Sequence, residues 1–291
     1  MSFHRENVVK ALRHDNPVSV PRGELFLGRD FLDNYFQTFK GQYIRQVTLA
    51  AQSLGLSAIG IDLNEEQPYR LTATWNFKEL DEFFTIGCIH GPVSNLIKHL
   101  GFFQAMIAIR KYSSVFSDLT ATSLLTIQNQ CEFAQSHGLC ALAVTDDIAG
   151  NRGLLLSQAD FMNRVLPSYQ RIAEMVKSHD LYTFFHSDGD TTEIINSLIE
   201  AGYDCIHPVD TRAGLNLYGL MKKFDQQISF MGHIDLMAWN EDRIIQEIHR
   251  AEKECKNGGL ILGSSGGLSM ETAREKLSAL YPQGKPKEPQ S

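Results

Sequence analysis

Acidic and histidine side chains recur in this sequence directly after short apolar segments. The segment 58–61, for example, is followed by Asp62, and the segment 139–144 is followed within three residues by Asp147. Burying a carboxylate is costly unless it is paired, hydrogen-bonded or bound to a cation. If the segments come together in the fold, they predict a polar site for proton transfer or metal binding. The full set is Asp62, His90, Asp146, Asp147, His186, Asp188, His207, Asp210, His233 and Asp235.

The pair His186 and Asp188 is the most specific feature of this set. The two residues alternate at the end of the apolar segment 181–186, so both side chains point to the same side of a strand. Asp210, at the end of the next such segment, can join them. An imidazole with two carboxylates can hold Zn²⁺ or a harder divalent ion. The same three groups can instead form a metal-free proton-transfer set, and spacing alone leaves both options open.

Structural roles account for some of the other polar residues. Either Asp146 or Asp147 can cap the loop that follows, and Asp190 before two threonines is typical of a helix N-cap. His207 and His233 can bind backbone carbonyls as readily as a substrate. The histidines predicted on helices or surface turns receive no role, and they are His4, His14, His137, His179 and His249.

The elements that carry these residues alternate between apolar strands and amphipathic helices. Five strand–helix units in the second half predict strands at 139–144, 181–186, 204–207, 228–231 and 260–262, with helices at 158–178, 191–201, 215–224, 240–255 and 269–280. Three more strands are predicted at 23–27, 58–62 and 84–88. Eight strands joined by helices predict a (β/α)8 barrel, also called a TIM barrel, whose active site lies at the carboxyl ends of the strands. The alternative, a doubly wound open sheet, would need a glycine-rich phosphate turn after its first strand, and the sequence has none there.

Composition narrows the class of protein further. Of 291 residues, 43% are hydrophobic and 21% charged, which is enough apolar material for a large core. A net charge of −7 without a basic stripe argues against nucleic acid. Five scattered cysteines without a CxxC pair, an N-terminus unlike a signal peptide and no long apolar run predict a soluble cytoplasmic protein. Cys88, Cys140 and Cys205 are expected to be buried thiols.

The predicted domain organisation is a single barrel over residues 1–282 that begins with a helical extension. Residues 283–291 are expected to be a frayed tail, and Arg70–Trp75 to form a short β-excursion on a loop. The loops 63–82 and 149–157 are expected to shape the pocket. Homodimers are common among such barrels, and the sequence leaves the oligomeric state open.

Several segments resemble the uroporphyrinogen decarboxylase superfamily. They are Leu142–Leu156 with Phe161 and Leu166-Pro167, Phe185–Gly189, Leu198–Asp204 with Pro208-Val209, Gly232–Asp235 and Gly258–Leu262. The resemblance covers about 140–280, with a looser match at Asn7–Arg13, Pro21 and Glu24. It implies the barrel fold, with a cleft at the carboxyl ends of the strands.

Two branches of that superfamily imply different activities. In the tetrapyrrole decarboxylases, Asp62 corresponds to a pyrrole-binding aspartate, but their arginine-rich segment is matched here by 26–30, which contains only Arg29. In the corrinoid-dependent methyltransferases, His186 corresponds to a zinc-binding histidine. Asp188 and Gly266 stand where that branch has its two cysteine ligands. A zinc site would therefore consist of His186, Asp188 and Asp210, with water or substrate.

The resulting prediction is a methyltransferase that moves a methyl group between a small substrate and a corrinoid protein, with zinc as a metal cofactor. The alternatives are a tetrapyrrole carboxy-lyase and a catalytically silent barrel that binds a corrinoid protein. Three residues are predicted to be catalytic, namely Asp62, Asp147 and His186. Those predicted to bind substrate are Glu24, His90, Arg152, His207, His233 and Asp235.

Overall fold

Eight parallel strands form the barrel predicted from the sequence. A computed structural model describes residues 2–64 and 76–282. Each strand pairs with the next along the chain, so the strands follow sequence order around the sheet. They are β1 (Gly23–Glu24), β2 (Ala58–Asp62), β3 (Phe84–His90), β4 (Ala141–Thr145), β5 (Tyr182–His186), β6 (Cys205–His207), β7 (Ser229–Ile234) and β8 (Leu260–Ser264).

The sheet closes between its first and last strands. Arg22, just before β1, forms a parallel bridge with Leu262 of β8. The N–H of Leu262 also donates to the carbonyl of Pro21 at 2.9 Å. These contacts complete the ring of eight strands and exclude the open doubly wound sheet, in which the two edge strands stay apart.

Twelve α-helices surround the strands in the described part of the chain. They are α1 (Phe3–Leu12), α2 (Arg29–Tyr35), α3 (Tyr43–Leu54), α4 (Pro92–Leu100), α5 (Phe102–Lys111), α6 (Ser113–Ser136), α7 (Gln158–Asp160), α8 (Leu166–Ser178), α9 (Ile195–Ala201), α10 (Leu217–Lys223), α11 (Glu241–Glu254) and α12 (Arg274–Leu280). A π-helical turn, Phe161–Val165, joins α7 to α8, so the helix predicted over 158–178 is continuous. None of the described helices has the length and apolar character needed to cross a bilayer.

The barrel interior is filled by alternate residues of the strands. One buried cluster contains small and apolar side chains of β2 to β8 together with Leu25, and Val8 and Leu12 of α1. The helix α1 therefore packs against the amino-terminal end of the barrel. The cluster also includes Ala141 and Ala143 of β4 and Phe184 of β5. Since side chains alternate along a strand, the next inward positions on these strands are Thr145 and His186.

Strand register places the polar residues in one layer at the carboxyl end of the interior. His90 pairs with Thr145, Thr145 with His186, and His186 with His207. Asp62 ends β2 beside Cys88 of β3. The polar side chains are therefore continuations of the inward-facing apolar rows, which explains why β2, β3, β5 and β6 end in Asp62, His90, His186 and His207.

The remaining sequence predictions concern two peripheral segments and the cysteines. The excursion predicted at Arg70–Trp75 and the tail predicted at 283–291 lie outside the described residues. All five cysteines are free, and Cys88 and Cys205 are buried as predicted. Cys140 is only partly buried, because it precedes β4 near the amino-terminal end of the barrel.

Candidate active site

A cavity of about 410 Å³ opens at the carboxyl ends of the strands. Its apolar wall includes Leu25, Phe26 and Leu27, which follow β1. Its polar wall includes Asp62, His90, Asp147 and His186. The volume suits a small ligand, and the combination of an apolar wall with a few convergent polar groups is typical of an enzyme pocket.

Asp147, His186 and Asp188 lie close together at this end of the barrel and form the Asp147 group. One ligand atom from each residue lies within 4.8 Å of the other two, which is compatible with a bound metal ion. The Nε2 of His186 is 3.6 Å from Oδ1 of Asp147. The same carboxylate oxygen accepts a hydrogen bond from the backbone N–H of Asp188 at 3.0 Å. The group is therefore held together by the two loops that follow β4 and β5.

The imidazole of His186 lies at the inner edge of this group. Its side chain is largely buried, and Phe26 packs edge-on against the ring at a centroid distance of 4.7 Å. Its Nδ1 is 2.9 Å from Nδ1 of His207, which is fully buried behind it. Burial lowers the pKa of His186 from its ordinary value, although Asp147 and Asp188 oppose this effect. A neutral imidazole is the form that binds a metal or accepts a proton.

Arg212 connects Asp188 to Asp210 on the outer side of the group. Its guanidinium donates to Oδ1 of Asp210 at 3.1 Å and reaches Oδ2 of Asp188 at 3.5 Å. Burial and the neighbouring Asp147 raise the pKa of Asp188, while His186 and Arg212 oppose the rise. Burial also acts to raise the pKa of Asp210, but hydrogen bonds from Arg212 and from the N–H of Gly189 outweigh it and hold that pKa low. Asp210 thus pairs with Arg212. The metal site was predicted to contain His186, Asp188 and Asp210, whereas the structure groups His186 and Asp188 with Asp147.

The loop after β5 is packed closely against the hairpin Ala149–Gly150/Gly153–Leu154. Gly189 has a φ of +87°, and a Cβ at this position would lie 2.7 Å from the hairpin backbone. The N–H of Asp190 donates to the carbonyl of Gly150 at 2.9 Å. The Asp190 carboxylate accepts from the N–H of Thr192 at 2.9 Å within this turn. The helix α9 begins only at Ile195, with Ile194 as its N-cap, so the prediction that Asp190 caps this helix is wrong. Asp188 is therefore placed by a tightly fitted turn.

The two neighbouring aspartates after β4 point in opposite directions. Asp146 is fully buried and accepts hydrogen bonds from the N–H groups of Val93 and Ser94 at the start of α4, and from the hydroxyl of Tyr169. Asp146 is therefore the capping residue of the pair, although it caps an earlier helix instead of the following loop. Asp147 is exposed and faces the cavity.

Asp62, Asn64 and His90 form the other polar part of the cavity. Oδ1 of Asp62 accepts from the side-chain amide of Asn64 at 2.8 Å, and the Asn64 carbonyl oxygen accepts from the N–H of His90 at 2.7 Å. The hydroxyl of Tyr43 accepts from the N–H of Asp62 at 3.0 Å, and the guanidinium of Arg29 lies 3.4 Å above the Tyr43 ring. These side chains can orient a polar substrate opposite the Asp147 group.

Five of the six residues predicted to bind substrate do not contribute to the cavity wall in the described part of the chain, and they are Glu24, Arg152, His207, His233 and Asp235. Glu24 is fully buried between Ser264 and Tyr281. His233 contacts Glu247 of α11, with 3.2 Å between Nε2 and the carboxylate. Asp235 caps the turn that follows β7, and Arg152 lies exposed at the tip of the hairpin.

The charges of the Asp147 group and its neighbours suit a cation. With their carboxyls ionised, the three aspartates Asp147, Asp188 and Asp210 carry three negative charges, and Arg212 offsets one of them. A neutral His186 leaves the remaining two charges uncompensated within the group, and a divalent ion would neutralise them. The donor set of one imidazole nitrogen and two carboxylate oxygens matches the ligands that zinc accepts.

The sequence as a whole matches a known family. Residues 44–282, which include every strand except β1, match the family model for uroporphyrinogen decarboxylase. The chain belongs to the uroporphyrinogen decarboxylase family. No curated protein sequence gives a significant match.

Solved structures with the same fold are distant in sequence. A methyltransferase from Methanosarcina mazei superposes with a TM-score of 0.74 at 15% identity, covering 97% of this chain and 98% of that one. The YdhT protein from Bacillus subtilis gives 0.56 at 12% identity, covering 98% and 92%. A D-psicose 3-epimerase from Clostridium cellulolyticum H10, solved with D-tagatose, gives 0.51 at 10% identity, covering 82% and 91%. Identities this low establish only that the chain shares the (β/α)8 fold of these structures.

Three site residues were not singled out from the sequence. Phe26 packs on His186, Asn64 connects Asp62 to His90, and Arg212 connects Asp188 to Asp210. Asn64 and Arg212 each stand two residues after a predicted site aspartate, so the same alternation that paired His186 with Asp188 was the available signal. Phe26 carries no such signal, because an apolar residue after a strand is ordinary.

Proposed function

We propose that this protein transfers a methyl group between a small methylated substrate and a corrinoid carried by a partner protein, with a divalent metal, zinc in the first instance, in the active site. The observation that carries the proposal is the group Asp147, His186 and Asp188, of which Asp147 and His186 line a cavity that also has an apolar wall. The similarity in fold to a methyltransferase supports this choice within the family.

The metal would be held by Nε2 of His186 and one carboxylate oxygen each from Asp147 and Asp188. A bound zinc ion supplies Lewis-acid chemistry, lowering the pKa of a thiol, alcohol or water that it coordinates. The carboxylates balance its charge, and the backbone N–H of Asp188 holds Asp147 in place. A fourth position stays available for a substrate atom, as catalytic zinc sites require.

The two cavity walls suit a substrate with an apolar part and a polar part. Leu25, Phe26 and Leu27 offer an apolar surface that accepts a methyl group and keeps water away from it. Asp62 and His90, which also line the cavity, can hydrogen-bond a polar part of the same molecule. This arrangement directs the carbon–heteroatom bond of the substrate toward the Asp147 group.

A proton must be supplied when the bond to the methyl group breaks. The heteroatom keeps the electron pair of that bond and becomes more basic as the methyl group leaves for the corrinoid. Asp188 is suited to hold the proton at its carboxyl when no metal is bound, because burial and the nearby Asp147 raise its pKa. The same set of residues therefore serves either the metal-assisted or the metal-free form of the reaction.

Metal content is the first test of this proposal. Protein purified without chelator is expected to contain close to one equivalent of zinc by mass spectrometry, and His186→Ala and Asp188→Ala are expected to lose it. His249→Ala, an exposed histidine on α11, is the matched control and should retain the metal. Absence of metal from the wild-type protein after reconstitution would remove the metal from the proposal.

Methyl transfer is tested directly with free cobalamins in place of the partner protein. Cob(I)alamin and a panel of methanol, methylamines, methyl thioethers and methoxylated aromatics should give methylcobalamin absorbance with at least one substrate. Asp147→Asn and His186→Ala should lower the rate by at least about 100-fold, the scale of an acid–base or electrostatic contribution. No turnover with any methyl donor, but binding of a corrinoid protein by all variants, would favour a barrel that serves only as a binding module.

A carboxy-lyase acting on a tetrapyrrole is the second candidate. It is favoured by Asp62, which the family resemblance places at a pyrrole-binding position and which the structure places in the cavity. Release of CO₂ from uroporphyrinogen, abolished by Asp62→Asn and unaffected by metal removal, would support this activity over methyl transfer. The proposed compartment for either reaction is the cytoplasm, where the five free thiols stay reduced.

A further inference from the structure

Two histidines from neighbouring strands share one hydrogen bond. The Nδ1 atoms of His186 and His207 are 2.9 Å apart. A neutral imidazole carries a proton on only one of its two nitrogens, so one ring donates through Nδ1 and the other accepts. The choice between these two arrangements decides what His186 presents to Asp147 and Asp188.

The two arrangements have opposite consequences for the metal site. If His186 donates from Nδ1, its Nε2 has a lone pair directed at the carboxylates, which is the form that binds a metal. If His207 donates, Nε2 of His186 carries the proton and cannot be a metal ligand. A carboxylate or backbone carbonyl usually sets the tautomer of a metal-binding histidine. Here the His186 ring contacts both the imidazole and the backbone of His207.

The surroundings of the two Nε2 atoms favour the arrangement in which His186 donates the hydrogen bond from its Nδ1. Nε2 of His186 lies 3.6 Å from Oδ1 of Asp147, which is too long for the N–H···O hydrogen bond that the opposite arrangement would form. The Nε2 of His207 is buried and has no hydrogen-bond partner of ordinary geometry among the described residues. The carbonyl oxygen of Ser264 and this nitrogen both border the place that a Cβ on Gly232 would take, at 3.0 and 3.2 Å from it, so an acceptor oxygen lies near the nitrogen. A carbonyl can only accept, so it is matched to a proton on Nε2 of His207.

The packing around His207 holds its ring in this orientation. The side chain is fully buried, and Phe26 lies edge-on to both histidine rings. A Cβ on Gly232 would lie 3.2 Å from Nε2 and Cδ2 of His207, so a glycine at this position gives the ring its space. The acceptor nitrogen of His207 is thus fixed before any ligand arrives.

We infer that His207 is a positioning residue: its Nδ1 accepts a hydrogen bond from the Nδ1–H of His186, and this directs the Nε2 lone pair of His186 at the site between Asp147 and Asp188. This inference rests on the proposed metal-assisted function. It assigns to His207 a role in metal binding that differs from the substrate contact predicted from the sequence.

The tautomer can be measured without any metal. In ¹⁵N-labelled metal-free protein, two-dimensional ¹H–¹⁵N spectra of the histidine rings, assigned with His207→Asn, should show His186 protonated on Nδ1 and unprotonated on Nε2. The opposite tautomer on His186 would overturn the inference, whatever the protein binds.

Metal affinity gives the second test, with two variants of similar shape. His207→Asn keeps an acceptor oxygen near the position of Nδ1, whereas His207→Leu has none. Titration with Co²⁺, followed by its visible absorption, should give a dissociation constant about 10- to 100-fold weaker in His207→Leu, the size expected when the outer contact of a ligand is lost. His207→Asn should stay within a few fold of wild type, and circular dichroism confirms that both are folded.

The alternative outcomes distinguish ring packing, the hydrogen bond and metal binding from one another. Equal losses of affinity in His207→Leu and His207→Asn would show that ring packing, and not the acceptor nitrogen, sets the affinity, and would overturn the inference. Wild-type affinity in His207→Leu would overturn it as well. If the wild-type protein binds neither Co²⁺ nor Zn²⁺, the metal-assisted function fails, and the tautomer measurement alone decides the contact between the two rings.

Discussion

The buried carboxyl group of Glu24 should make the stability of the protein depend on pH. Glu24 is fully buried and accepts hydrogen bonds from the N–H and hydroxyl of Ser264 and from the hydroxyl of Tyr281. Burial raises its pKa from an ordinary value of 4.5 to about 7, although all three hydrogen bonds oppose the rise. Replacing Glu24 by glutamine keeps the shape of the side chain and removes its charge.

The size of the effect follows from the difference between the folded and unfolded states. The folded protein holds the proton more tightly, so the contribution to stability is fully present below about pH 4.5 and is lost as pH rises through 7. A rise in pKa from 4.5 to about 7 corresponds to roughly 3 kcal/mol, at about 1.4 kcal/mol per pH unit. Between pH 5 and pH 8, about 2.5 kcal/mol of this should be lost from the wild type.

Urea denaturation at the two pH values measures this difference. The free energy of unfolding should fall from pH 5 to pH 8 by about 2.5 kcal/mol more in the wild type than in Glu24→Gln, because other titrating groups are common to both. Glu271→Gln, at an exposed position, is the control and should behave as wild type. In Tyr281→Phe the loss should move to higher pH, since that hydroxyl lowers the pKa of Glu24. Equal pH dependence in wild type and Glu24→Gln would refute the reasoning.

Three other substitutions test contacts that place the site. Gly189→Ala should destabilise the fold by about 2–4 kcal/mol in urea, because its φ of +87° and the hairpin backbone leave no room for a Cβ; an unchanged midpoint would contradict this packing. Arg212→Met should lower the free energy of unfolding by about 1 kcal/mol at pH 7. Because Arg212 lowers the pKa of Asp210, the difference from wild type should shrink below pH 4, where Asp210 becomes protonated. A constant difference down to pH 3 would argue against this pair. Tyr169→Phe removes a 2.9 Å hydrogen bond to buried Asp146 and should cost about 1.5–3 kcal/mol by the same measurement, with no loss as the contrary result.

The barrel was predictable because its signal is repeated. Each strand in the second half is a short apolar run followed by an amphipathic helix, and eight such strands close a ring. The first strand was predicted over 23–27, but the observed strand covers only Gly23 and Glu24, with one isolated bridge from Leu27 to Leu268. The residues after it turn to form the apolar wall of the cavity, and an apolar run does not distinguish a strand from a pocket lining.

The members of the site were easier to predict than their grouping. Asp147, His186 and Asp188 all stand at strand ends, where alternation directs side chains to the barrel mouth. The choice of Asp147 over Asp210 depends on loop geometry, namely the turn at Gly189 and the guanidinium of Arg212. Sequence spacing contains neither the path of a loop nor the partner of a charged side chain.

The sequence likewise could not predict which way the side chains of the two aspartates after β4 point. Asp146 and Asp147 are chemically identical neighbours, and one of them was expected to cap a loop. The structure assigns capping to Asp146 because α4, more than 50 residues earlier in the chain, begins beside it. A pairing over that distance leaves no local pattern.

The positions of the strands divide the mouth of the barrel into two arcs with separate tasks. The metal-compatible group and its supporting residues come from the ends of the consecutive strands β4, β5 and β6, whereas the cavity walls opposite come from the ends of β1, β2 and β3. Transplanting the proposed metal-binding group into another (β/α)8 barrel would therefore require residues 145–150, 186–190 and 207–212, together with Phe26 and Gly232, which pack against His186 and His207. Under the proposed function, exchanges at the ends of the first three strands, Phe26 excepted, would change the wall facing the substrate and leave the residues around His186 in place.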